Sequence, residues 1–66
     1  MVHNDRPFRR GDSVRVVRTR RGWHDGDLSG VVVSAWQTIT NVWQYVVRDA
    51  EGYEHEILHT RDLKSL

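Results

Sequence analysis

The residues of this chain most able to do chemistry are two histidines, His55 and His59, in the run HEILH at residues 55–59. On a helix, the spacing H-E-x-x-H places both imidazoles on one face, where they can hold one zinc ion while the glutamate acts as general base. On an extended strand, side chains four residues apart stand about 13 Å from each other and cannot share an ion. The conformation of this run therefore decides whether it can be a metal site.

The residues around this motif predict a β-hairpin. An apolar, β-branched run at 45–48 meets the turn sequence DAEG at 49–52, and a second extended run follows at 53–58. Asp49 can accept hydrogen bonds from the next backbone N–H groups, and Gly52 tolerates a positive φ. We therefore predict that His55 lies on a strand and that HEILH is a chance match. The prediction includes no catalytic residue, no metal and no cofactor.

A second segment, residues 18–24, combines cations, a glycine and an aromatic ring. Its candidate binding residues are Arg18, Arg20, Arg21, Trp23 and His24. Arginine makes forked bonds to carboxylates and phosphates and stacks on rings, so this segment suits either a protein interface or a nucleic acid. The neighbouring Asp25 and Asp27 reduce the local positive potential, and a pI near 8.3 is low for a nucleic-acid-binding domain. These two observations favour a protein partner.

Two further aromatic residues, Trp36 and Tyr53, complete the candidate binding surface. In the second predicted strand, alternation places Trp36 on the outer face and three smaller side chains inward: Val31, Val33 and Ala35. Trp43 has the same parity as the apolar residues of the next strand, and it is therefore predicted to lie in the core. Exposed rings beside arginine are typical of interface hot spots.

The composition limits the size and location of the protein. Sixty-six residues form one domain with a thin core, and the chain contains no cysteine for a disulfide or a thiolate metal site. No apolar run approaches the roughly 20 residues of a membrane-spanning helix, and the first residues are polar. We therefore expect a cytoplasmic protein with no membrane partner.

The distribution of β-branched and aromatic residues predicts an all-β fold, because no run keeps the helical period of 3.6 residues. We predict five strands, at residues 13–18, 31–36, 42–48, 53–58 and 64–66, with a long irregular loop at 19–30. A single 3₁₀ turn capped by Thr60 precedes the last strand. Residues 1–7 form a flexible arm, and 8–66 form one domain anchored by Phe8 and Leu28. A small, partly open five-stranded barrel would hide most of the sheet edges.

Four short motifs carry a resemblance to a known superfamily. They are FxxGDxVRV at residues 8–16, GxV at 30–32, YVVR at 45–48 and DLxxL at 62–66. Together they resemble the SH3-like electron-transport accessory proteins, which include the C-terminal domain of the nitrile hydratase β-chain. The opening GDxVRV also resembles KOW-type barrels. The resemblance implies an SH3-like barrel that has no catalytic role and docks on a larger partner.

Two signatures of other SH3-like proteins are missing from the sequence. It lacks the ALYDY motif of proline-binding SH3 domains, which disfavours PxxP peptides as ligands. It also lacks the VQIY strand of plasmid-type dihydrofolate reductases, because YEHEI stands at residues 53–57 instead. A folate-type reductase is therefore disfavoured.

These observations give three ranked functional hypotheses. The first is a non-enzymatic binding module that docks on a protein partner or on a second copy of itself. The second is a nucleic-acid-binding barrel of KOW type that uses the arginine-rich first loop. The third is a small enzyme, either a metal hydrolase at HEILH or a folate-type reductase.

Overall fold

The structure, a computed structural model, describes residues 8–66 of the chain. The arm predicted for residues 1–7 lies outside the described residues. The described part is all-β, with one 3₁₀ turn at Thr60–Asp62. Its seven strands are β1 Ser13–Val16, β2 Arg18–Thr19, β3 Gly22–Trp23, β4 Ser29–Gln37, β5 Trp43–Asp49, β6 Glu54–Ile57 and β7 Leu63–Ser65.

Five of the strands form one antiparallel sheet in the order β6-β5-β4-β1-β7, and β2 and β3 form a separate two-stranded hairpin. The predicted all-β class is therefore confirmed, as is the 3₁₀ turn directly before the last strand. Across the described residues, the two edge strands β6 and β7 do not pair with each other.

The hairpin corrects one prediction, because residues 19–30 are not an irregular loop throughout. Arg18 pairs with Trp23 and Thr19 with Gly22, so the first part of the segment turns back on itself. Gly22 has a φ of +124°, in the left-handed region that favours glycine, and the Thr19 hydroxyl accepts from the N–H of Arg21 at 3.1 Å. Strands of two residues are too short to show an alternating pattern in the sequence.

The hydrophobic core lies on the inner side of the sheet. Tyr45 is fully buried at its centre, where its ring meets the Phe8 ring edge-on with the centroids 5.9 Å apart. The other buried apolar side chains are Val14, Val16, Val32, Val47, Ile57 and Leu63. Leu28, Ala35 and Trp43 pack against this cluster, which confirms the predicted contacts of all three with the core.

A β-bulge in β4 changes which of its residues face the core. The prediction that Val31 points inward is wrong, because Val31 is exposed and Val32 is buried, while Val33 is half-buried. The pairing of β4 with β5 shifts directly after Val32, which adds one residue to β4 and reverses the alternation beyond it. Ala35 therefore contacts the core and Trp36 lies exposed, both as predicted.

The turn between β5 and β6 has the predicted chemistry. The Asp49 carboxylate accepts from the N–H of Glu51 at 2.9 Å and from the N–H of Tyr53 at 3.0 Å. Gly52 closes the turn with a φ of +90°. This arrangement fixes the start of β6 and the position of Tyr53 beside it.

The 3₁₀ turn is capped by His59 and not by Thr60 as predicted. The His59 Nδ1 atom accepts from the N–H of Arg61 at 3.2 Å. The Thr60 hydroxyl instead shares a hydrogen bond of 2.8 Å with the buried Tyr45 hydroxyl. The Thr60 side chain, which the local pattern assigned to the cap, thus makes a tertiary contact with Tyr45 instead.

Candidate binding groove

A groove of about 670 Å³ is lined by residues of the β2–β3 hairpin and of β6, and we call it the hairpin groove. Five of the seven candidate residues from the sequence line it: Arg20, Arg21, Trp23, His24 and Tyr53. Glu54 and Glu56 of β6 form the facing wall. The fold therefore brings most of the predicted surface together, although its members come from two segments about 30 residues apart.

Two bonds between Arg20 and Glu56 hold the hairpin onto the edge of β6. The backbone N–H of Arg20 donates to the carbonyl oxygen of Glu56 at 2.9 Å. The Arg20 guanidinium also bonds the Glu56 carboxylate, with 2.9 Å between Nη1 and Oε1. The hairpin thus covers part of an edge strand that would otherwise present free backbone groups.

Arg18 does not line the groove, but it contacts Trp23, which does. Its Nε atom lies 3.3 Å from Oδ1 of Asp62, whose side chain is only 4% exposed. Its guanidinium carbon lies 4.9 Å from the centre of the Trp23 ring, a distance that permits a cation–π contact. The buried Asp62 carboxylate therefore positions the Arg18 guanidinium, which in turn contacts the face of the Trp23 indole ring.

The two aromatic rings of the groove are open to solvent. Trp23 is 72% exposed and Tyr53 is 66% exposed. Burying rings of this size against a partner removes a large apolar area from water, and the support under Trp23 lowers the entropy lost on binding. The groove therefore has the composition and the partial order of a binding site.

Trp36 does not belong to the hairpin groove. It lies near the far end of β4, opposite Gln44, and its Nε1 atom donates to Oε1 of Gln44 at 3.2 Å. With 41% of its surface exposed, it forms a separate site on the outer side of the sheet. The fold does not join it to the other candidate residues.

Ion pairs neutralise most of the arginines around the groove. Arg18 pairs with Asp62, Arg20 with Glu56, and Arg48 with Glu54 at 2.7 Å. In the part of the chain that the structure describes, Arg21 has no acidic partner within 4.0 Å. The field in the groove is therefore of mixed sign.

The HEILH run is extended, as the hairpin pattern predicted. His55 lies within β6, and His59 follows the end of that strand as the cap of the 3₁₀ turn. The single helix face that a shared zinc ion requires is not formed by these residues. Over residues 8–66, the structure shows no cluster of three or more potential metal ligands.

His55 is paired with the turn carboxylate. Its Nε2 atom lies 2.8 Å from Oδ2 of Asp49, and both side chains are largely covered. The hydrogen bond from His55 holds the pKa of Asp49 below its ordinary value of 3.8, and the two backbone N–H groups of the turn lower it further. This carboxylate organises the turn that carries Tyr53.

The lowered pKa gives a prediction for the acid stability of the protein. A carboxyl whose pKa is lower in the folded state stabilises that state above its unfolded pKa, and the contribution is lost as the pH falls through the folded value. We expect His55→Gln to raise the pKa of Asp49 and to move acid unfolding to higher pH. Carboxyl NMR titration measures the first effect and circular dichroism the second. If the pKa of Asp49 is unchanged in the His55→Gln variant, the hydrogen bond from His55 is not the cause of its lowered value.

Sequence reasoning missed the acidic residues of this region. Glu54 could have been found, because a hairpin closed at 49–52 places it opposite Arg48. Asp62 carries no such signal, since its contact with Arg18 joins the 3₁₀ turn to a strand that the pattern did not reveal.

No protein-family model, curated protein or solved structure matches this chain. Within the described residues, no helix has the length and apolar character needed to cross a membrane.

Proposed function

We propose that this protein is a non-enzymatic binding module of the SH3-like, partly open barrel type, and that it docks on a protein partner through the hairpin groove. The observation that carries the proposal is the exposed Trp23 ring, held over Arg18 at the mouth of the groove. A well-positioned tryptophan beside arginine is the composition most enriched among interface hot spots.

The barrel assignment is supported by contacts that bend the chain around the core. The hairpin bonds to β6 through Arg20, while the N–H of Val17 donates to the carbonyl oxygen of Asp62 at 2.8 Å. The hairpin therefore bridges from the β1–β7 side of the sheet to the β6 side. Such a bridge suits a small barrel that is closed in part by its first loop.

Nucleic acid binding through the same loop is the second candidate, and the ion pairs argue against it. Arg18 and Arg20 already have carboxylate partners, so their charges are partly cancelled. A phosphate backbone in the groove would also lie close to Glu54 and Glu56. Protein ligands tolerate such a mixed field better than a polyanion does.

The proposal predicts that Trp23→Ala weakens partner binding by about 2 kcal/mol or more, which is roughly thirtyfold, because the ring supplies desolvated area at the centre of the contact. Trp36→Ala is the matched control, since it removes a ring outside the groove. Pull-downs from source lysate, with and without nuclease and at low and moderate salt, measure the loss. A solution mass measurement on the purified chain detects a second copy as the partner.

Two outcomes of this experiment contradict the proposal. One is capture that survives Trp23→Ala but is lost in Trp36→Ala. The other is capture that disappears with nuclease and with Arg20→Ala/Arg21→Ala, which would establish the second candidate.

A further inference from the structure

A pair of like charges lies on the outer face of the sheet, away from the hairpin groove. Arg15 of β1 pairs directly with Lys64 of β7. Both side chains are exposed, because the neighbouring residues Val14, Val16 and Leu63 turn inward to the core. The register therefore places two cations next to each other on the solvent side.

This arrangement is unfavourable for the isolated protein. Like charges directly opposite each other on antiparallel strands repel and destabilise the pair. Among the residues that the structure describes, neither Arg15 nor Lys64 has a carboxylate within 4.0 Å. Most of the arginines beside the groove differ, since Arg18, Arg20 and Arg48 each have an acidic partner.

A further cation and several hydroxyl groups extend this surface. On the side of β1 that faces β4, Arg15 pairs with Ser29 and Ser13 pairs with Val31. Val31, Val32 and Val33 line a shallow hollow of about 490 Å³ together with Arg10 and with Arg48, which is paired with Glu54. We call the surface of Arg10, Arg15 and Lys64 the basic face.

We propose that the basic face binds the phosphate backbone of double-stranded nucleic acid without reading its sequence. The proposal goes beyond the groove, because it uses other residues on another surface. Among the described residues these three cations have no carboxylate within 4.0 Å, so they suit closely spaced phosphates, and arginine forms forked bonds with phosphate oxygens.

The residues beside the cations favour a duplex over other anionic ligands. Ser13 and Ser29 offer hydroxyl donors to phosphate, as uncharged side chains commonly do in such complexes. Single-stranded binding relies on rings on which bases stack, and the only exposed ring on β4 is Trp36, seven residues along the strand from Ser29. Of the three valines that line the hollow beside Arg10, only Val31 is exposed, so this face offers less apolar area than a protein interface centres on.

The number of cations determines the expected strength and salt dependence. Each neutralised phosphate contributes about −0.9 to the slope of log K against log salt, so three contacts give a slope of about −2.7. Affinity of this kind is weak, on the order of 10⁻⁴ to 10⁻⁵ M at physiological salt. Binding should therefore be measured from about 50 mM salt upward, where such contacts are strongest.

The test uses the full chain and a fluorescent 20-base-pair duplex of arbitrary sequence in an anisotropy titration. We expect Arg15→Ala/Lys64→Ala to weaken binding at least tenfold at the lowest salt and to reduce the magnitude of the salt slope by about 1.8. Relief of the repulsion should leave the melting temperature unchanged or higher, which shows that the variant is folded. Arg20→Ala/Arg21→Ala is the matched control and should change binding less than twofold.

Three results overturn the proposal: duplex binding that the face variant leaves unchanged, binding lost in the groove control, or tighter binding to anionic lipid vesicles or polyglutamate than to the duplex. The first and third results leave the hairpin groove untouched, and the second would favour nucleic acid as the ligand of the groove, which the Trp23→Ala test with and without nuclease decides by itself. The two proposals therefore fail separately.

Discussion

Replacing Tyr45 with alanine is expected to cost about 4 kcal/mol of the free energy of unfolding, the largest effect of any single change considered for this protein. The Tyr45 side chain is fully buried, meets the Phe8 ring and bonds the Thr60 hydroxyl, so its removal leaves a cavity at the centre of the core. A chain of 66 residues has a total stability of about 3–10 kcal/mol. A substantial fraction of the variant should therefore be unfolded at room temperature.

Urea denaturation followed by tryptophan fluorescence measures this loss. Tyr45→Phe separates the two contributions, because it keeps the ring and removes only the hydroxyl bonded to Thr60. We expect the phenylalanine variant to lose about 1 kcal/mol. A loss below about 2 kcal/mol for the alanine variant would mean that the core does not depend on this ring.

The parts of the fold that follow local chemistry were predictable from the sequence. The β5–β6 hairpin was found because Asp49 and Gly52 have side-chain and backbone properties that specify a turn in any context. That turn fixed the extended conformation of His55 and thereby removed the helix that HEILH would need.

The parts that depend on contacts between distant residues were not predictable. The bulge after Val32 reverses the inward–outward alternation of side chains in β4, and no residue type in the sequence indicates such a bulge. The His59 cap also escaped detection, because the Thr60 hydroxyl is used by Tyr45 from another strand. These features are set by the packing of the whole core.

The candidate binding surface was likewise predictable from the sequence only in part. Residue types alone identified the arginines and rings of the first loop, and the fold joined most of them to Tyr53 in one groove. The composition could not show which of these arginines are paired, since the carboxylates that pair with Arg18 and Arg20 lie more than 30 residues away in the sequence. Among the described residues, Arg15 and Lys64, which the sequence did not single out, have no carboxylate within 4.0 Å.

Replacing Asp62 with alanine is expected to affect both the stability of the protein and the order of the groove. The loss of the buried carboxylate leaves the Arg18 guanidinium without its partner. Breaking a fully buried pair costs about 3–5 kcal/mol, but Arg18 is 33% exposed and water can replace part of the contact. We therefore expect a loss of about 2–3 kcal/mol in the free energy of unfolding. Asp62→Asn keeps an acceptor at the same place and should recover part of it.

A second measurement tests the connection from Asp62 through Arg18 to Trp23. Without the carboxylate, the guanidinium is no longer held 4.9 Å from the ring centre, and the indole should become more mobile on the picosecond-to-nanosecond timescale. The heteronuclear NOE of the Trp23 indole N–H should fall, while that of Trp36, which bonds Gln44, should not change. An unchanged Trp23 signal in a folded Asp62 variant would show that the carboxylate stabilises the turn alone. A selective fall would show that a buried acidic residue, absent from the binding surface, sets the position of its most exposed ring.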